Sequence, residues 1–62
     1  MTFPIYIPTR VTAIQEAQEI SEKVDGAVYV YARLEGGYVI DNLKREYDNE
    51  KIILTFLNGL PV

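Results

Sequence analysis

A small α+β domain in the order β-α-β-β-β, with one helix packed on one face of a mainly antiparallel sheet, is what residues 1–62 predict. Three observations carry that prediction. Ala27 to Leu34 is an unbroken run of strand formers rich in Val and Tyr, closed by Glu35-Gly36-Gly37 and followed at once by Tyr38-Val39-Ile40. This is a hairpin pattern, because Gly accepts the positive φ that tight turns demand. Between Ala13 and Val24, apolar residues recur at spacings of three and four, the period of a half-buried helix. Lys51 to Leu57 is a second strong β run, and it needs an antiparallel neighbour.

Composition narrows what such a domain can do. The chain is a single domain, and at this length it buries only about 60% of its extended surface, so its stability is marginal. It has no Cys and no His, which excludes disulfides and the common zinc and haem frameworks and fits a reducing, cytoplasmic setting. What remains to stabilise it is a well-packed core or a partner subunit, and a hydrophobic content of 48% serves either. Phe3 to Ile7 is broken by Pro4 and has no basic residues before it, so it makes a poor signal peptide, and no stretch reaches the roughly 18 apolar residues of a membrane span. The net charge of −3 argues against a general polyanion binder.

The elements follow in order. Thr2 to Pro8 carries Pro4 and Pro8, each lacking a ladder donor, so this strand belongs at a sheet edge or next to a bulge, and an edge is the placement expected here. Thr9 and Thr12 are alternative helix caps. Thr12-Ala13-Ile14-Gln15 matches a capping box, which starts the helix at Thr12. Ala13, Ile14, Ala17, Ile20 and Val24 then form its apolar stripe with Ser21 inside it, while Gln15, Gln18, Glu19, Glu22 and Lys23 form the wet side. Asp25-Gly26 closes the helix, Gly26 being free to adopt a left-handed conformation. Two Ala and one Ser in the stripe bring the helix close to the sheet, and one helix covers one face only. After the hairpin, the chain from Tyr38 to Tyr47 reads as a strand turning at Asp48-Asn49, with a short helix capped by Asp41 or Asn42 as the alternative. Asn58-Gly59 breaks the chain and leaves Leu60-Pro61-Val62 as a tail.

A two-residue turn at Gly36-Gly37 pairs Val30 with Leu43 and Tyr29 with Lys44. A turn at Asp48-Asn49 then sets Leu43 against Leu54 and Lys44 against Ile53. One face so gathers Val28, Val30, Ala32, Leu34, Val39, Leu43, Ile52, Leu54 and Phe56 as the core under the helix. The other gathers Tyr29, Tyr31, Arg33, Ile40, Asn42, Lys44, Ile53, Thr55 and Leu57, a mixture suited to an interface, where Tyr offers a large apolar ring with a polar tip. Asp41 falls on the core face opposite Phe56, a conflict that either a place at the periphery beyond the helix or the short-helix alternative would remove.

The candidate chemistry is sparse. Ser21 is the one serine, sits in the helix stripe and has no base to activate it, so it reads as packing. Glu46, Asp48 and Glu50 lack the spacing of a calcium loop and read as a solvated turn. Gly36-Gly37 lies between strands and not before a helix, which excludes a phosphate loop. The sequence therefore points to a non-catalytic module without cofactor or metal. Its expected partner is another protein or a second copy of itself, bound through Tyr29, Tyr31, Arg33, Ile40, Lys44, Ile53 and Leu57. Two alternatives stand beside it. The same Tyr/Arg/Lys face resembles in composition the platforms on which nucleic-acid bases stack, and the helix acids Glu16, Glu19 and Glu22 suit an inhibitor of a basic groove.

Overall fold

The computed structural model describes residues 2–45 and 50–62. Five strands and one helix follow one another as β1 (Ile5–Ile7), α1 (Arg10–Lys23), β2 (Val28–Arg33), β3 (Tyr38–Asp41), β4 (Glu50–Leu57) and β5 (Leu60–Pro61). The helix packs on one face of a single sheet of order β1-β3-β2-β4-β5 in which every neighbouring pair is antiparallel. The class read from the sequence is therefore the class observed. The order within the sheet differs from a simple meander: β2 lies at the centre with β3 on one side and β4 on the other. β1 is at an edge, as Pro4 and Pro8 require, and runs parallel to β2 with β3 between them.

Helix α1 begins at Arg10, ahead of the Thr12 start read from the capping box. Thr9 is the cap in extended geometry (φ −112°, ψ 134°), its side chain makes no capping hydrogen bond, and its carbonyl accepts from the Ala13 N–H at 2.9 Å. Thr12 thus lies inside the first turn, where it cannot cap. At the other end Val24 is extended and its N–H donates to the Ile20 carbonyl at 3.1 Å. Gly26 follows with a positive φ of 90°, and Lys23 places its cation in the last turn, where the helix dipole favours it. The apolar stripe is used as read: Ala13, Ala17, Ile20 and Ser21 are buried, with Ile14 and Val24 packed at the margin. Both alanines are fully shielded, so the helix backbone rides close to the sheet.

The β2–β3 hairpin corrects the register. The Arg33 N–H donates to the Gly37 carbonyl at 3.1 Å and the Gly36 N–H donates to the Arg33 carbonyl at 3.0 Å. The connection is therefore Leu34-Glu35-Gly36, with Gly36 (φ 106°) and Gly37 (φ 82°) both at positive φ, a three-residue loop and not a two-residue turn. Val30 pairs with Ile40 in place of Leu43, and Tyr31 with Val39. A shift of three residues is odd, and an odd shift moves every β3 side chain to the opposite face. Ile40 consequently joins Val28, Val30, Phe56 and the helix in the core, fully buried. Val39 and Asp41 move to the other side, which removes the clash between Asp41 and Phe56.

A second irregularity lies in β4. Val30 pairs with Leu54 but Tyr31 pairs with Ile52, so Ile53 is the extra residue of a β-bulge. Ile53 packs against the helix-side core while Ile52 shares the face of Tyr31, the reverse of the assignment from alternation.

The chain end is a strand and not a tail. Leu57 pairs with Leu60 around Asn58 (φ 55°) and Gly59 (φ 83°), the two positive φ values of an Asn-Gly hairpin turn. This turn is fastened to the helix. The Ser21 hydroxyl donates to the Gln18 carbonyl at 2.7 Å and accepts the Gly59 N–H at 2.9 Å, and the Gln18 side-chain amide donates to the Gly59 carbonyl at 3.0 Å. Ser21→Ala should leave the Gly59 N–H buried without a partner, at a cost of about 1–3 kcal/mol. Amide exchange by NMR is the check: the Gly59 N–H should exchange faster than global unfolding alone explains, and unchanged protection there would remove this role.

Candidate interaction face

The sheet face away from the helix is built from cross-strand rows, since directly opposed residues share a side. One row runs Tyr6, Val39, Tyr31, Ile52; the next runs Asp41, Tyr29, Thr55. Val62 extends the second row, its N–H donating to the Thr55 carbonyl at 2.9 Å. Leu57 and Leu60 form a third, shorter row.

This face is closed at one end and open at the other. After Asp41 the chain leaves the sheet, and residues 42–45 fold back over Tyr31 as a strap. The Tyr31 hydroxyl donates to the Leu43 carbonyl at 3.0 Å and accepts the Arg45 N–H at 2.8 Å. The Arg45 guanidinium lies over the Tyr31 ring, 4.9 Å from its centroid, and reaches Asp41 Oδ2 at 3.0 Å and Glu50 Oε1 at 2.8 Å. Asp41 Oδ1 accepts the Leu43 N–H at 3.2 Å. Tyr31 is left 1% exposed and Asp41 4%. A buried carboxylate is tolerated here because the guanidinium and the amide meet both of its oxygens.

The structure separates the seven residues that the sequence grouped. Tyr29, Arg33 and Leu57 lie on the free face with part or all of the side chain accessible. Tyr31 is on that face but shut beneath Arg45. Ile40 is core, on the opposite side, because of the hairpin register, and Ile53 packs on the core because of the bulge. Lys44 is exposed on the strap and not on a strand. β3 ends at Asp41, and residues 42–45 continue as neither strand nor helix; the remainder of the segment read as a strand to Tyr47 falls outside the described residues. The turn at Asp48-Asn49, and Glu46 and Asp48 of the acidic cluster, fall outside the described residues.

Toward β5 the same face is apolar and open. Tyr29 and Thr55 are half-buried, and Leu57, Leu60 and Val62 are exposed, at 39%, 67% and 76%. None of these five side chains is charged. Leu60 and Val62 were not singled out by sequence reasoning, although Asn58-Gly59 between Leu57 and Leu60 is a strong hairpin signal. At the β1 end, Tyr6 is exposed on this face with Arg33 over its ring at 5.4 Å, and Arg33 also meets Glu35 at 3.6 Å.

Elsewhere, Ile5, Ile20, Glu16, Glu19 and Lys23 line a shallow groove of about 250 Å³ between β1 and the helix, so the acidic helix ridge is interrupted by a lysine. Among the described residues no three His, Cys, Asp or Glu side chains come together as a metal site, and no helix is long and apolar enough to cross a membrane. The chain matches no protein family, no curated protein and no solved structure.

Proposed function

We propose that this chain is a small non-catalytic binding module that associates, most simply with a second copy of itself, through the β4–β5 end of the sheet face opposite the helix. The observation that carries this reading is the uncharged cluster of Tyr29, Thr55, Leu57, Leu60 and Val62, three of whose apolar side chains are exposed. Exposed contiguous apolar surface on a small domain marks an interaction site. Pairing two copies of a chain with net charge −3 is favoured where the touching patch holds no like charges, because a two-fold interface sets a patch against itself. The sheet edges suit this role less well: Pro4 and Pro8 flank β1 and Pro61 lies within β5, and proline blunts an edge against strand addition.

A base-stacking platform is less well supported on this face. Tyr31 offers no free ring surface, Arg45 is engaged by two carboxylates, and Arg33 is engaged by Glu35 and Tyr6. Sedimentation equilibrium in the micromolar range is the test. Leu60→Glu places a charge in the patch without touching the core and should shift a dimer to monomer. A monomeric wild type at all accessible concentrations, with no difference from the variant, would remove the self-association reading. Tyr fluorescence quenched by an oligonucleotide at low salt would favour the nucleic-acid reading instead.

A further inference from the structure

The chain has three asparagines, and only Asn58 is followed by glycine. In an Asn-Gly pair the side-chain amide is open to attack by the next backbone nitrogen, because glycine puts no side chain in the way, and this is one chemical source of the heat lability of asparagine. The fold needs this pair where it stands. Asn58 (φ 55°) and Gly59 (φ 83°) form the two-residue turn between β4 and β5, and two positive φ values suit Asn and Gly. A side chain at position 59 would also collide with the helix, since a Cβ there would lie 2.6 Å from the Glu22 Cγ. Asn58 is exposed, but Gly59 is buried. Its N–H, the group that must lose a proton before the nitrogen can attack, donates to the Ser21 hydroxyl at 2.9 Å. The Gln18 side-chain amide holds the Gly59 carbonyl at 3.0 Å.

We propose that Asn58 is a site of spontaneous intramolecular modification, guarded in the folded chain by Ser21. The reaction is succinimide formation followed by hydrolysis. The Gly59 nitrogen, its proton lost to base in the solvent, bonds to the Asn58 Cγ; the Cγ–Nδ2 bond breaks, and the nitrogen leaves as ammonia after taking up a proton from water. Water then opens the ring at either carbonyl, which restores the N–H and leaves aspartate or isoaspartate at position 58. Both products add one negative charge to the net −3 of the chain. Isoaspartate also carries the main chain through its side-chain carbons, one atom longer than the two-residue turn accommodates. Ser21 opposes the first step in two ways: its hydrogen bond stabilises the protonated nitrogen, and the burial of Gly59 keeps base away. The reaction therefore runs through openings of the turn, whose frequency the Ser21 bond sets. This site does not depend on the self-association reading.

The test is incubation of the whole chain in warm, mildly alkaline buffer, with the peptide carrying position 58 followed by mass spectrometry for the change of amide to carboxylate. Native wild type should convert more slowly than the same chain unfolded in urea, by roughly tenfold or more. Ser21→Ala should raise the native rate on the order of tenfold, the effect of losing one buried hydrogen bond. Tyr31→Phe loses a hydroxyl of comparable weight away from this turn; it controls for global unfolding and should convert more slowly than Ser21→Ala. Gln18→Ala, at an exposed helix position, removes the neighbouring bond, should accelerate conversion by less, and serves if Ser21→Ala folds poorly. A native wild type that converts as fast as the unfolded chain has no guard, and the proposal is overturned. Equal acceleration in Ser21→Ala and Tyr31→Phe assigns the protection to the fold at large and overturns it too. So does a wild-type rate in both Ser21→Ala and Gln18→Ala, or in Gln18→Ala alone where Ser21→Ala does not fold, and so does an unfolded chain that keeps its amide.

Discussion

Ile40→Ala is expected to cost about 2–5 kcal/mol, the range for truncating a fully buried Ile. A domain of this length has about 3–9 kcal/mol of total stability, so the variant should lose a large share of it and be the most destabilised of the single truncations on the helix-facing side of β3. Ile40 is fully buried between the helix-facing residues of β1 and β2, opposite Ile5 and Val30, and little of the cavity left there can collapse against a helix already held close by Ala13 and Ala17. Urea denaturation followed by circular dichroism measures the loss. Leu34→Ala, at a hairpin position 83% exposed, is the control and should lie within about 0.5 kcal/mol of wild type. The outcome discriminates between registers: had Gly36-Gly37 formed a two-residue turn, Ile40 would lie on the free face and Leu34 in the core, and the order of the two losses would be reversed.

Tyr31→Ala should be comparably severe, about 3–5 kcal/mol for removing a fully buried aromatic ring, and the loss has two separable parts. Tyr31→Phe keeps the ring and deletes only the hydroxyl, which leaves the Leu43 carbonyl and the Arg45 N–H without that partner. It should cost about 1–3 kcal/mol. The remainder belongs to the ring, which packs in the Val39–Ile52 row and beneath the Arg45 guanidinium. Denaturation midpoints of the two variants at constant slope give the division. A Tyr31→Phe variant as stable as wild type would mean that the strap is not held through this hydroxyl.

Self-association and stability are linked through the same residues. A partner that binds the folded form raises its apparent stability with concentration, so the midpoint of a dimerising wild type should rise with protein concentration and that of Leu60→Glu should not. This matters most for a short chain with neither disulfide nor His-based metal framework to reinforce it.

Much of the candidate face was legible residue by residue and still misassigned. The alternation of Tyr29, Tyr31 and Arg33 in β2 correctly placed three side chains on one side. Ile40 and Ile53 were misplaced for one shared reason: side-chain alternation has a period of two, so a single uncounted residue reverses everything after it. The uncounted residues were Glu35 and its neighbours in the hairpin loop and Ile53 at the bulge. The role of Ser21 as packing was legible from its place in the stripe, but its bond to Gly59 joins positions 38 apart, which no local pattern contains. Leu60 and Val62 were within reach, since the Asn-Gly pair that joins β4 to β5 is itself a local signal.

By itself the sequence determined the local elements: the 3.6-residue stripe made the helix, the Val and Tyr runs made the strands, glycines placed the turns, and proline kept β1 at an edge. These are short-range effects of backbone conformation and side-chain period, and they act before any long-range contact exists. Only the tertiary structure decided how the strands line up and which face stays open. β4 crosses to the far side of β2 and bulges there, and residues 42–45 fold over Tyr31, 14 positions before Arg45, because the sheet brings that ring beside Asp41 and Glu50, which together offer Arg45 two carboxylates. Whether a tyrosine on a free face is surface or interior depends on what the rest of the chain lays across it.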